Sequence, residues 1–85
     1  MEQAERRPEA AVEVRITAPC PAPVLGVARA LRTMTSGEVL LARCLDKASK
    51  ADIAAFARQT GNALLAQEEV SEAEEVWFLH WLRKR

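Results

Sequence analysis

Three prolines fall within five positions of this chain, Pro19, Pro21 and Pro23, and a cysteine, Cys20, stands between the first two. Proline has no backbone N–H and fixes its own φ. It also pushes the residue before it out of the helical region. No sheet ladder or helix interior runs through such a stretch, so the chain must change structure there. The hydrophobic period changes at the same place. Before the prolines, Val12, Val14 and Ile16 alternate with Glu13, Arg15 and Thr17, the two-residue period of a half-buried strand. After them, Val24, Val27, Ala28, Leu31 and Met34 recur at steps of three and four, with Arg29 and Arg32 off the stripe. That is an amphipathic helix. Pro23 suits its first turn, where a missing N–H costs nothing, and Ser36-Gly37 is expected to end it.

The remaining elements follow from the same reasoning. Val39 to Leu45 is an apolar run broken by Arg43 and reads as a largely buried strand. Ser49 with Asp52 three residues on has the spacing of a capping box. The helix it opens places Ile53, Phe56 and Ala57 on one face and closes at Gly61. Ala63 to Gln67 reads as a short third strand, Glu68 to Glu75 as an acidic turn region, and Val76 to Leu82 as a fourth strand. The order β-α-β-α-β-β predicts an α/β two-layer sandwich, a four-stranded mixed sheet with two helices on one face. Each βαβ passage implies a right-handed crossover, and the last two strands form a hairpin. Residues 1–11 read as a loose N-terminal tail, and 12–85 as a single domain.

Size and charge exclude several function classes. Eighty-five residues make one small domain with no room for a large cleft on a separate scaffold. Twelve basic residues balance twelve acidic ones, so no field draws nucleic acid, and direct nucleic-acid binding is not expected. The one basic run, Arg83-Lys84-Arg85, reads as a solvated C-terminus. No segment has the length of a membrane span, and the polar stretch Met1 to Val14 lacks the apolar core of a signal peptide. The reading is a cytoplasmic protein with reduced thiols. Gly26, Gly37 and Gly61 are scattered and fit no phosphate-binding pattern. No cluster of metal ligands stands out, and no cofactor is expected.

The chemistry then rests on Cys20. Its place between strand and helix puts it at a helix N-terminus, among unpaired N–H groups and the positive end of the helix dipole. A thiol there is expected to ionise more readily, and the thiolate is the reactive form. Prolines on both sides keep the sulfur exposed at the sheet edge. Position alone leaves two readings open: a reactive thiol, or an inert small residue in a turn.

The tetrapeptide Cys20-Pro21-Ala22-Pro23 at the opening of the first helix resembles the Cys-Pro-x-Pro motif of the TusA (SirA-like) family. Further matches are Gly37-Glu38 before the second strand, Asp46 after it, and Asp52-Ile53 in the first turn of the second helix. Gly61 with Leu64-Leu65 follows that helix. The resemblance implies a two-layer α/β sandwich acting as a sulfur carrier (a sulfurtransferase). Cys20 would receive a persulfide sulfur from a cysteine desulfurase or rhodanese-like donor. It would pass that sulfur to a partner protein's thiol, for tRNA thiolation, molybdenum cofactor work or oxidative sulfur metabolism. Pro21 and Pro23 would shape the loop. The stretch Val14-Arg15-Ile16-Thr17-Ala18-Pro19 lacks the acidic residue and glycine usual in the family before the cysteine. Lys47, Ala51 and Ala54 stand where the family commonly has Pro, Arg and Pro. These loops border the cysteine edge and bear on which partner docks there.

Four other features bear on function. Cys44, in phase with Leu40 and Ala42, reads as a buried structural cysteine, with a resolving thiol for Cys20 as the sharper alternative. His80 has no companions and reads as structural. Asp52 is accounted for by capping and Asp46 by the strand-to-helix loop, with contact to a partner open to Asp46. Trp77, Leu79 and Trp81 share a face opposite to Phe78. An open sheet leaves that face uncovered unless the tail or neighbouring side chains lie over it. An exposed aromatic stripe would make the protein a non-catalytic interaction module instead.

Overall fold

The computed structural model describes residues 7–85. Its elements are β1 (Val12–Ile16), α1 (Ala22–Arg32), β2 (Val39–Cys44), α2 (Ser49–Thr60), β3 (Ala63–Glu72) and β4 (Glu75–Arg83). The predicted order β-α-β-α-β-β is the observed one. The four strands form one sheet in the order β1-β2-β4-β3. β1 pairs parallel with β2, Ile16 opposite Cys44, while β4 runs antiparallel to both β2 and β3. The last strand is therefore inserted between β2 and β3, which makes the sheet mixed.

Both helices lie on one face. Val27, Leu31, Ile53 and Ala57 from the helices pack with Leu40, Ala42, Cys44 and Leu82 from the two central strands, all buried. At Gly26 a Cβ would stand 2.8 Å from Ile16 Cδ1, so the bare glycine lets α1 approach β1 closely. Gly61 closes α2 in the left-handed conformation, φ 79°, and its N–H donates to Ala57 O.

Several boundaries differ from the sequence reading. α1 ends at Arg32, capped at Thr33, and not at Ser36-Gly37. Gly37 is left-handed, but in the turn into β2, where its N–H donates to Lys84 O. The stretch 68–75 is not a turn region, because β3 continues through Glu72. Val70 stands opposite Trp77 and packs against it. The intervening glutamates sit on an edge strand, where charge is tolerated and opposes unwanted strand pairing. Nor is Arg83-Lys84-Arg85 simply solvated. Arg83 ends β4, Lys84 Nζ donates to Leu31 O at the C-terminus of α1 (2.6 Å), and Arg85 N donates to Asn62 Oδ1 (2.9 Å).

The second sheet face is not an exposed aromatic stripe. Trp77, Leu79 and Trp81 are buried there among Val39, Leu41, Leu65 and Val70. Arginines cover the rings. Arg15 and Arg43 stack on Trp77 at 4.9 and 5.5 Å, and Arg7 on Trp81 at 5.6 Å. Arg43 is itself held by Glu72 (2.6 Å) and Glu13 (3.8 Å), and Arg7 by Glu68. Residues 7–11 thus lie across this face, with Ala11 N bonded to Val39 O. The rest of the expected tail, residues 1–6, lies outside the described residues.

The β3–β4 turn carries local strain. Both of its central residues, Ala73 (φ 51°) and Glu74 (φ 66°), are left-handed without being glycine. A two-residue hairpin turn demands this conformation, and Asn-Gly meets it without the Cβ clash. Replacing Ala73 with Asn and Glu74 with Gly should stabilise the protein by about 1–2 kcal/mol, read as a higher urea midpoint at unchanged slope.

Candidate functional site

Two β-to-α loops leave neighbouring parallel strands at the same sheet edge. The loop after β1 carries Cys20, and the loop after β2 carries Asp46. Because Ile16 pairs with Cys44, the next few residues of each chain segment run side by side. The Asp46 carboxylate joins them. Oδ2 accepts the Cys20 N–H at 2.6 Å, and Oδ1 accepts the Ala48 N–H at 3.0 Å. Asp46 therefore has two backbone partners inside the protein, one of them the residue of interest.

Cys20 is exposed and unpaired, at the start of α1. Pro21 is the N-cap, and Pro23 lies in the first turn, buried against the core. The Cys20–Pro21 peptide is cis. Ala22 N donates to Pro19 O, which closes the loop around the sulfur. A shallow cleft of about 310 Å³ opens beside the thiol, with Val24 on one side and Asp52, Ala55, Phe56 and Gln59 of α2 on the other.

The electrostatics differ from the expectation of a readily ionised thiol. The Cys20 thiol is pushed up from its ordinary value, first by the Asp52 carboxylate accepting its hydrogen bond, then by local desolvation and by the charges of Asp52 and Asp46. A helix N-terminus favours a thiolate, but two carboxylates at the same place oppose it. The first turn of α1 itself carries no acid, so the opposing charges come from the neighbouring loop and helix.

Ser49 is not a cap. The N-cap of α2 is Ala48, without a side-chain bond, and Ser49 is buried inside the first turn. Its hydroxyl lies 2.9 Å from His80 Nε2. Gln67 Nε2 donates to Lys50 O at 2.9 Å and approaches His80 Nδ1 at 3.1 Å. An amide nitrogen can only donate, so Nδ1 accepts and the ring proton sits on Nε2, donating to Ser49 Oγ. The Ser49 hydroxyl proton is then free for Cys44, the other partner on which it acts. His80, Ser49 and Cys44 are all fully buried, and among the described residues no buried side-chain polar atom lacks a partner.

These bonds define the roles of two residues. His80 is structural, neutral, and lowered to about 4, by burial first and then by the charge of Lys50. Cys44 is a buried structural thiol pushed up to about 11 by burial, which makes it a poor resolving partner for Cys20. Asp52 and the Ser49–His80–Gln67 bonds are what the sequence reading missed. Gln67 stands directly across from His80 in the sheet, but that register is not visible until the strand order is known.

An open α/β sandwich with one exposed thiol between two β-to-α loops is the class of protein that fold and site define. The family model described as Sulfurtransferase TusA matches residues 16–84. The sulfur carrier protein TusA of Allochromatium vinosum is 44% identical over 50 residues, covering 59% of this chain and 66% of that protein. TusA of Pseudomonas savastanoi pv. phaseolicola is 33% identical over 66 residues, covering 78% of this chain and 74% of that protein. YrkF of Bacillus subtilis is 37% identical over 65 residues, and there the chain spans only 33% of the relative. A SirA-like protein from Desulfitobacterium hafniense shares the fold, with a TM-score of 0.58 at 20% identity, over 85% of this chain and 99% of that one. The chain belongs to the TusA family of sulfur carriers, as its Cys-Pro-Ala-Pro tetrapeptide indicated.

Two outcomes test this description. Asp46→Ala removes both backbone bonds and should cost about 2 kcal/mol of stability, with faster hydrogen exchange at the Cys20 amide. His80 makes stability fall with acid. Its folded value lies below the ordinary 6.5, so the unfolded chain binds the extra proton. Stability is whole above pH 6.5 and is lost as the pH falls from there toward 4. Urea unfolding should show a loss of about 2 kcal/mol between pH 7 and pH 5, and His80→Gln should remove that part of the slope.

Proposed function

We propose that this protein carries sulfur as a persulfide on Cys20. It takes the sulfur from a cysteine desulfurase or a rhodanese-like donor and passes it to a thiol of an acceptor protein. The observation that carries the reading is the placement of Cys20: the exposed one of the two free thiols, in a family motif, on a loop pinned at the sheet edge.

The chemistry needs little else. The Cys20 thiolate attacks the outer sulfur of the donor's persulfide, a sulfur–sulfur bond forms to Cys20, and the donor's cysteine leaves as thiolate. In the second step an acceptor thiolate attacks the sulfur now held on Cys20, and Cys20 leaves as thiolate. Both steps move one sulfur atom without net oxidation. Docking is served by apolar surface next to the thiol: Leu25, one turn along α1, is 58% exposed, and Pro21 and Val24 lie between it and the cleft. No helix among the described residues is long and apolar enough to cross a membrane, and we place the carrier in the cytoplasm with its partners. tRNA thiolation is one family pathway it could serve. The alternative of an interaction module built on the last strand has no observation in its favour, because Trp77 and Trp81 are buried.

Intact-mass measurement tests the proposal. After incubation with a cysteine desulfurase and cysteine, or a rhodanese and thiosulfate, the wild type should gain one reducible sulfur. Cys20→Ser should gain none and keep its fold. Equal loading of the variant would refute the role of Cys20.

A further inference from the structure

Asp52 is an unexplained carboxylate. The capping role that its spacing from Ser49 suggested is not realised, since Ser49 faces His80 and the cap is Ala48. The three ion pairs among the described residues join Arg7 to Glu68 and Arg43 to Glu13 and Glu72, and none involves Asp52. Instead Asp52 lines the cleft beside Cys20, together with Val24, Ala55, Phe56 and Gln59. It is half-buried there, on the same cleft that Cys20 lines. The cleft, about 310 Å³, has room for one more sulfur atom on Cys20.

We propose that the Asp52 carboxylate holds the proton on the sulfur that Cys20 presents, so that the carrier hands its outer sulfur to a nucleophilic acceptor from the neutral persulfide. This rests on the carrier reading above. A persulfide is more acidic than the thiol it came from. Its anion is a nucleophile and repels an attacking thiolate. Its neutral form is electrophilic at the outer sulfur. A carboxylate that accepts the S–H bond favours the neutral form by hydrogen bonding and by charge. The charged groups acting on Cys20 are Asp52 from α2 and Asp46 from the β2–α2 loop, with no cation among them. Asp46 is already engaged by two backbone N–H groups, which leaves Asp52 as the acceptor for the S–H.

The unloading step balances as follows. An acceptor thiolate attacks the outer sulfur of Cys20–Sγ–SH and a new S–S bond forms on the acceptor, which keeps the S–H proton. The old Sγ–S bond breaks with its electron pair going to Cys20 Sγ. Water reprotonates the Cys20 thiolate, and Asp52 accepts the S–H bond again. One effect opposes the proposal, because a less acidic Cys20 is a poorer leaving group. The magnitudes favour protonation. A thiolate's reactivity in attack changes only about threefold per unit of acidity, at a Brønsted coefficient near 0.4–0.5, and its departure is likewise graded with acidity. The neutral fraction changes up to about tenfold per unit wherever the anion predominates.

The test compares wild type, Asp52→Asn and Asp52→Glu, with circular dichroism to show that each is folded. The pH profile of Cys20 alkylation by iodoacetamide, followed by peptide mass, needs no bound sulfur. In Asp52→Asn it should move to lower pH, with severalfold faster alkylation at neutral pH. In Asp52→Glu it should stay near wild type. Protein loaded from polysulfide is then treated with cyanide near pH 8, and thiocyanate is measured. Release from Asp52→Asn should be severalfold slower, and Asp52→Glu should restore it. An unshifted alkylation profile in Asp52→Asn overturns the proposal, as does a shifted profile with unchanged release. A shifted profile in a protein that takes up no sulfur supports the Asp52–Cys20 coupling and overturns the carrier reading instead.

Discussion

The Asp46 carboxylate is the group on which the reactive edge depends. It spans two loops that the parallel pairing of β1 and β2 brings side by side, and it satisfies a backbone N–H in each. Without a partner, those N–H groups would need water at the exposed edge beside the thiol. With Asp46 in place, the Cys20 backbone is fixed to β2, and through β2 to the buried centre of the sheet. The prolines remove other options for the loop: Pro21 cannot donate, Pro23 is locked into the first turn of α1, and Ala22 N is already given to Pro19 O. The sulfur is exposed while the chain that carries it is held.

Below that edge the small domain uses both sheet faces. The helix side is an ordinary apolar core, with one polar element, the His80–Ser49 pair and its Gln67 neighbour. That element fixes the first turn of α2 to β4 and β3, and so fixes Asp52 relative to Cys20. The other face has no helices to cover it. Instead the arginines of three separate segments lie over two tryptophans, and glutamates hold two of them, Arg7 and Arg43, in place. Long side chains with apolar stems can cover aromatic area while their charged heads stay wet. An 85-residue chain thereby buries a second cluster without a third layer.

Most of the fold was legible because its signals are local. The change of period across Pro19–Pro23, the β-branched alternation of Val12, Val14 and Ile16, and Gly61 after a helical face each determine one element without reference to the rest. The placement of Cys20 between strand and helix was legible for the same reason, as was the buried character of Cys44 from its phase. What was not legible depends on register. The acidic letters of 68–72 read as a turn, because only the pairing of Val70 with Trp77 shows that they continue a strand. Ser49-x-x-Asp52 matched a capping pattern, yet Ser49 bonds His80 and Asp52 lines the cleft beside Cys20, both distant in sequence. Arg15 and Arg43 read as the polar positions of strands, and nothing local shows that they cover an aromatic ring.

The acidity of Cys20 is where a local rule met a tertiary fact and lost. A helix N-terminus acts through partial charges spread over a few N–H groups, about half an elementary charge in all. Here the Cys20 N–H is itself spent on Asp46, which weakens that field at its nearest point. Two full negative charges stand against it, one of them accepting the thiol's own bond. The balance follows from counting charges rather than from the position along the helix. It also suits the exchange chemistry proposed for this thiol. Nucleophilicity rises with basicity, so the smaller thiolate fraction is partly offset by a more reactive thiolate. A sulfur that stays protonated between encounters is also a poorer target for oxidants, which attack the thiolate. A freely ionised, exposed thiol would react with whatever arrives.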